Sequence, residues 1–423
     1  MTTLQAAPLA VVAKKVIPEL DISSLSDSRE VGLKYADLIK KSGVESFAPK
    51  VEVWTSEASN KSLSYLSHGI FRYFGKFPPP IARHLIKTYT KERDLIIDPM
   101  CGSGTSALEA LILGRKALCF DVNPLSVLIS EVKITSIDTN DYLKSLEKIV
   151  KKCESTRSRF KKVNLVGLRN PDHWFLPRTI ESLSKIKSAI DESQGSEETK
   201  KALLVAFLAI VRRVSRATTQ QGRLFLDVET AEEDALPFFQ KKALDLMGQL
   251  SAIPPNINVR VKQASILDVP NTTSQVSSLI ICHPPYFNSY KYSGVNSLEL
   301  AWFGIDHSDI RKREVRESFK VGKPEKVEEY LQDMEAGLRN LANYLSINGR
   351  IALMIGDTVI KGEYIPVTQK LLKRLKNVYS VEKTALRIPK FTEASWAASQ
   401  RRNGQEIGVN LCDLMVILKK HES

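Results

Sequence analysis

Between Asp94 and Asp121 the chain carries the pattern that most limits its fold. Asp94-Leu-Ile-Ile-Asp98 reads as a short buried strand and Pro99 to Gly104 as a tight turn. Thr105 to Leu113 reads as a helix with Gly114 at its C-cap, and Lys116-Ala-Leu-Cys-Phe-Asp121 as a second strand. Strand, glycine turn, helix and a second strand ending in an acid form the first half of a doubly wound α/β sheet. Further strands are expected at Asn258 to Val261, at Ser277 to Cys282 and at Arg350 to Gly356. Leu411 to Leu418 alternates again, and two apolar strand candidates near the C-terminus suit the antiparallel edge that such sheets often carry. Val327 to Leu345 has helical periodicity and stops before the turn signal Asn348-Gly349.

The second strand and the fourth are too far apart for a minimal sheet. Asp121 and His283 are separated by 162 positions, whereas two strand–helix units need about 60 at ~30 residues each. The surplus reads as helices: Leu143, Leu146, Val150 and Cys153 recur at helical spacing, as do Ile180, Leu183, Ile186 and Ile190, with Ala202 to Val214 as a third. A length of 423 residues has room for two or three domains at ~150 each. We expect an N-terminal extension over 1–60, a catalytic domain over 61–135 and 256–423, and an inserted domain over 136–255.

The net charge of +13 favours a polyanionic partner. Five widely spaced cysteines fit neither a zinc knuckle nor a disulfide framework, so no metal is expected and the thiols are read as reduced and cytoplasmic. The longest apolar run, Ala202 to Val211, is short of the ~20 residues that span a bilayer, and no membrane partner is expected. Lys14-Lys15 follow the N-terminal apolar stretch, the wrong order for a secretory signal.

Two motifs carry chemistry. In Asp98-Pro-Met-Cys-Gly-Ser-Gly-Thr105 the bare backbone of Gly102 and Gly104 lets a ligand approach. A P-loop lysine is missing after Gly104, and Ala107 stands where a dinucleotide fingerprint has its third glycine. Asp121, 23 residues after Asp98, is placed to grip ribose hydroxyls. A nucleoside without phosphates points to S-adenosylmethionine. In the second motif an apolar strand ends abruptly in His283-Pro284-Pro285-Tyr286, at the expected carboxyl edge of the sheet. There His283 and the Pro284 carbonyl can face a substrate amine while Tyr286 offers a stacking surface.

Tyr73-Phe-Gly-Lys-Phe77-Pro78, the Asp98 to Thr105 run, Asp121 and His283-Pro-Pro-Tyr286 together resemble the successive motifs of the DNA amino-methyltransferases, which methylate exocyclic nitrogens of cytosine or adenine. The resemblance covers about residues 65–130 and 256–423. It implies a doubly wound, Rossmann-like α/β methyltransferase sheet with an inserted, mainly helical target-recognition domain, acting on double-stranded DNA beside a cognate restriction endonuclease. Phe77 and Pro78 would close over the methionine part of S-adenosylmethionine, with Asp98, Cys101, Gly102, Ser103, Gly104, Thr105 and Asn123 around it. Asp121 would hold the ribose and Asp268 would reach the adenine. The family's catalytic motif usually opens with Ser for cytosine N4 and with Asp or Asn for adenine N6, whereas His283 opens it here. Asn123-Pro124 and Ile355-Gly356-Asp357 look most like the cytosine N4 subgroup, with adenine N6 as the alternative.

Other readings compete. Cys282 as a nucleophile for carbon-5 methylation fits poorly, because it completes an apolar strand ahead of the prolines. His173 and His307 stand alone as structural or surface residues. Eight basic residues against two acids lie between Lys151 and Arg178, with Lys161 and Lys162 among them read as DNA-binding. Arg212, Arg213, Arg216 and Arg223 form a second basic group, read as a DNA-binding surface. Arg311, Lys312, Arg313 and Arg316 make a third and Arg401-Arg402 a fourth. An RNA guanine-N2 methyltransferase shares the glycine turn and the Pro-Pro-Tyr, and a catalytically silent DNA-binding subunit is the reading outside enzymes.

Overall fold

A computed structural model of the chain describes residues 20–24, 39–48, 51–56, 62–161, 163–220, 223–256, 258–268, 276–287, 292–316, 326–360, 363–389 and 413–421. Its strands are β1 (Asp21–Ser24), β2 (Val51–Ser56), β3 (Leu95–Asp98), β4 (Lys116–Asp121), β5 (Ala217–Gln220), β6 (Arg223–Leu226), β7 (Val259–Gln263), β8 (Ser277–Cys282), β9 (Leu345–Ile355), β10 (Thr358–Ile360), β11 (Glu363–Ile365), β12 (Tyr379–Pro389) and β13 (Asp413–Lys420). Nine of them form one sheet in the order β1-β2-β12-β13-β9-β8-β3-β4-β7, while β5–β6 and β10–β11 are separate hairpins.

Strands β9, β8, β3, β4 and β7 are mutually parallel, and the chain winds outward in both directions from the β3–β8 neighbours. The order reverses there, which opens a crevice beyond the carboxyl ends of β3 and β8. Both faces of the sheet are covered, and the sequence encodes this by period-2 alternation of apolar residues. Ile96, Cys119, Leu279 and Ile281 enter one buried cluster. Ile97, Phe120, Ile280 and Cys282 enter the other.

On the first face lie the helices of the inserted region, Thr139–Glu154, Pro177–Asp191, Glu197–Val211 and Ala235–Leu250. The Glu197–Val211 helix is apolar nearly all round, as suits a helix buried among others. Its Leu203 and Phe207 share one cluster with Ile96, Leu125 and Ile129, so the insertion and the sheet are packed on a common core. On the second face the Lys326–Leu341 helix buries Tyr330, Met334, Leu338 and Leu341. That helix was expected to run on to Leu345. It stops at Leu341, and β9 begins at Leu345 and carries Asn348-Gly349 as an irregularity in the β8–β9 pairing instead of as a turn between elements.

The C-terminal strand departs from expectation in position. β13 is antiparallel to both β9 and β12, but it lies inside the sheet. β12 runs parallel to β2, and β2 antiparallel to β1, so residues before 60 extend that side of the sheet. The physical reason is burial of Val53 and Trp54, which gives β2 an apolar partner surface that its short sequence does not advertise.

Candidate active site

The glycine turn is built by backbone constraint. Gly102 and Gly104 have φ of 51° and 74°, in the left-handed region that side chains rarely adopt. A Cβ on Gly104 would lie 2.7 Å from Ser130 Oγ and 2.8 Å from its Cβ, and one on Gly102 would lie 3.1 Å from the Tyr73 ring. The turn is closed from outside by Ser130 Oγ, which donates to the Gly102 carbonyl at 2.9 Å. It ends in the Thr105–Ile112 helix, whose first turn therefore sits at the crevice.

Asp121, at the end of β4, accepts from the Gly102 N–H on one oxygen and from the Asn123 N–H on the other, both at 2.8 Å. Each oxygen keeps acceptor capacity for a ligand hydroxyl. Burial raises Asp121 to about 6 and Asp98 to about 7, although backbone N–H groups favour the ionised form of both. Asn123 caps the Pro124–Lys133 helix through Oδ1. Its buried Nδ2 has no hydrogen-bond partner among the described residues.

A cleft of about 830 Å³, counting the solvent at its mouth, joins these groups to the second motif. Phe77, Asp98, Cys101, Gly102, Ser103, Asp121 and Asn123 line it, with His283 and Pro285 at the other end. Phe77 and His283 stand 5.3 Å apart between ring centroids. A nucleoside linked to a cationic chain fits this donor set: carboxylates for hydroxyls and positive charge, an unpartnered amide, and no cation within Gly102 to Thr105 for phosphate. Gly104, Thr105 and Pro78 are not among the residues that line the cleft. Pro78 precedes the Pro79–Tyr89 helix, and Thr105 is buried.

Asp268 does not reach the cleft. It is exposed one short turn beyond Ala264, Ser265 and Ile266, which line the wall in its place. The loop after β7 turns through a 3-10 helix, which brings its buried start to the cleft and turns Asp268 outward. Tyr73 and Tyr292 also line the cleft and were assigned no role from sequence. Tyr73 belonged to the recognised motif, so its signal was present, whereas Tyr292 had none.

At the catalytic motif burial lowers His283 to about 4, so the ring is neutral at ordinary pH. Tyr330 donates its hydroxyl to the Pro285 carbonyl at 2.9 Å, which fixes the plane of the loop. Tyr286 is half-buried, with its ring against the Gly356 backbone, where a Cβ would come within 2.9 Å. Cys282 is fully buried and burial drives its thiol well up, the opposite of what a nucleophile requires.

The basic residues separate. Arg212 turns inward: Nε and Nη2 donate to the two Glu299 carboxylate oxygens at 2.9 and 2.8 Å, and Nη2 also donates to the Val295 carbonyl. Its guanidinium also lies over Phe74. It is a structural ion pair, and this corrects its reading as a phosphate contact. Arg213 is exposed over the Phe238 ring, Lys161 is exposed, and Arg216 is half-buried. Arg223 begins β6. Lys162, Arg401 and Arg402 lie outside the described residues. Among the described residues no helix is long and apolar enough to cross a membrane, and no cluster of residues suits a metal ion.

One prediction follows from the raised carboxylates. Asp121→Ala should weaken S-adenosylmethionine binding by roughly 1.5–3 kcal/mol, the value of a hydrogen bond to a charged group. Because both carboxyls are raised, wild-type affinity should increase with pH through about 6 to 7 as they ionise, and binding should release protons. Calorimetry in two buffers of different ionisation enthalpy measures both. Unchanged affinity in the variant removes Asp121 from the site.

A family model described as DNA methylase, of the N6/N4 type, matches residues 25–131. The Type II methyltransferase M.BsoBI of Geobacillus stearothermophilus is 24% identical over 377 residues, covering 81% of this chain and 71% of that protein. The Type II methyltransferase M.MvaI of Kocuria varians is 24% identical over 278 residues, covering 60% of this chain and 61% of its own length. Among solved structures, the rRNA methyltransferase aviRa of Streptomyces viridochromogenes is 12% identical, with a TM-score of 0.33, covering 86% of this chain and 94% of that one.

Proposed function

We propose that the chain is an S-adenosylmethionine-dependent amino-methyltransferase of the DNA methylase type, and that it methylates the N4 amine of a cytosine turned out of double-stranded DNA. The observation that carries the reading is the shared cleft, in which the cofactor wall of Phe77, Gly102 and Asp121 meets His283 and Pro285. S-adenosylmethionine supplies an electrophilic methyl on a sulfonium. The work of the protein is to prepare the nitrogen.

An exocyclic amine is a poor nucleophile because its lone pair is delocalised into the ring. Acceptors for its two N–H groups favour a pyramidal nitrogen whose lone pair faces the methyl. We assign these roles to the neutral His283 ring and the Pro284 carbonyl, with Tyr286 beside the extruded base. Direct in-line transfer needs no covalent enzyme intermediate, in keeping with the buried Cys282 thiol. The motif pattern around Asn123-Pro124 and Ile355-Gly356-Asp357 supports cytosine over adenine. Sequencing of modified bases in a host expressing the chain tests this: N4-methylcytosine supports it, N6-methyladenine moves the target, and methylation confined to RNA overturns it.

On this reading the inserted region, 136–255, selects the DNA sequence, and a restriction endonuclease of the same specificity is the implied partner. With Arg212 committed to Glu299, exposed Arg213 is the better probe of the DNA face. Arg213→Glu should weaken DNA binding and reduce the salt slope by about one unit, leaving cofactor affinity alone. Gel shifts across a salt series read this, and a wild-type slope would place the DNA face elsewhere.

A further inference from the structure

One face of the Pro124–Lys133 helix is pressed against the glycine turn. Ser130 meets the Gly102 carbonyl there, and Lys133, one helical turn further on the same face, brings Nζ to 3.4 Å from Ser103 Oγ. Lys133 is 1% exposed, among the most deeply buried large side chains of the protein. Its carbonyl accepts from Ser67 Oγ at 2.6 Å. The carbonyl of the next residue, His68, accepts at 2.9 Å from Nζ of Lys76, a second lysine, which lines the cleft itself.

A buried ammonium ordinarily has an acid beside it. Among the described residues Lys133 makes no ion pair, and Ser103 is its one side-chain partner. Glu109, the buried acid of this region, is already held by Arg83 Nη1 at 3.1 Å, by His68 Nε2 at 2.9 Å and by the Tyr65 hydroxyl. Burial first, then the charge of Lys76, push the Lys133 pKa well below the ordinary lysine value, and an anion at Ser103 would act in the opposite sense. An ammonium only donates, so Ser103 Oγ accepts from it. The hydroxyl hydrogen of Ser103 meets no acceptor among the described residues and remains for a ligand in the cleft that Ser103 lines. The cleft thus carries both signs: Ser103 and Lys76 suit an anionic group, Asp98 and Asp121 hydroxyls and positive charge.

We propose that Lys133, acting through Ser103, provides the counter-charge for a carboxylate in the cleft, the α-carboxylate at the methionine end of S-adenosylmethionine. Lys133 is then a positioning residue: it touches no ligand, but it turns Ser103 into a donor and stands as positive charge behind it. The inference rests on the S-adenosylmethionine reading and assigns the part of the cofactor that an acid such as Asp121 cannot hold. It also gives a reason for a lone buried ammonium, which an apolar residue of similar size could replace with little loss of stability.

The test is calorimetric binding of two ligands, S-adenosylmethionine and decarboxylated S-adenosylmethionine, which lacks only the carboxylate, to wild type, Lys133→Met and Ser103→Ala. The preference for the carboxylate-bearing ligand, read as the ratio of the two affinities, should fall by about tenfold in each variant, the scale of one hydrogen bond to a charged group. A purely structural lysine would weaken both ligands alike and leave the ratio at its wild-type value, which overturns the proposal. Lys133→Met should have a denaturant midpoint equal to or above that of wild type, since it removes an uncompensated buried charge. Should it fail to fold, Ser103→Ala decides, because it keeps the lysine and removes the hydroxyl that joins it to the cleft. A wild-type chain that binds neither ligand overturns the cofactor reading and the proposal with it. Binding of both ligands with one ratio in all three proteins overturns the proposal alone.

Discussion

Arg212→Ala is expected to destabilise the protein by about 3–5 kcal/mol, the cost of removing one partner from a buried ion pair and leaving the other unpaired. Arg212 and Glu299 side chains are 12% and 3% exposed, and the guanidinium meets the carboxylate with two nitrogens. The pair joins three distant segments: the end of the Glu197–Val211 helix, the Ser297–Phe303 helix that follows the catalytic loop, and Phe74 in the segment leading to Phe77. Its loss should therefore loosen the insertion from the site, and Arg212→Lys should restore little because an ammonium cannot reproduce the two-pronged contact. Denaturant midpoints measure this. A double variant, Arg212→Ala with Glu299→Ala, should recover part of the loss, since no lone buried charge remains. A single variant as stable as wild type but deficient in DNA binding would return Arg212 to the phosphate surface.

Why the sequence misplaces Arg212 is instructive. An arginine pair after an apolar helix looks like a basic surface, and its acid lies 87 positions downstream, where no local pattern links the two. Features set by local alternation were legible: β3, the glycine turn, β4 and the strand ending in His283 lie close to where periodicity puts them. Features set by pairing between distant segments were not. Asp413 and Arg387 come together only because β12 and β13 are antiparallel neighbours, and β1 and β2 join the sheet only through β12. Asp268 fails for a related reason, since the direction of one short turn decides whether an acid or its buried neighbours face the ligand.

His283→Ala should lose about a hundredfold or more in turnover while binding cofactor as wild type does, the scale of a positioned proton-handling group. Cys282→Ser should keep methylating, because that thiol is buried and held protonated. The pH dependence separates the roles further. An imidazolium has no acceptor, so protonation of His283 must stop the reaction. An unperturbed histidine would place that loss near pH ~6.5. Burial first, then the positive charge of Arg387, hold His283 to about 4 against the opposing pull of Asp413. The acid limb of turnover at saturating cofactor should therefore lie near 4, well below that of an unperturbed histidine. Asp98 and Asp121 titrate in the opposite sense, raised to about 7 and 6, so cofactor affinity should already be falling in that higher range. Stability follows the sign of the histidine shift: its folded value is depressed, so the unfolded chain binds the proton more readily, and this group's contribution is lost as pH falls from ~6.5 towards 4. Measured together, turnover should persist to about pH 5 while the cofactor requirement rises between 7 and 5. If turnover at saturating cofactor instead collapses near 6.5, His283 is solvated and is not the buried neutral acceptor. A fully active His283→Ala would remove it from the chemical step altogether.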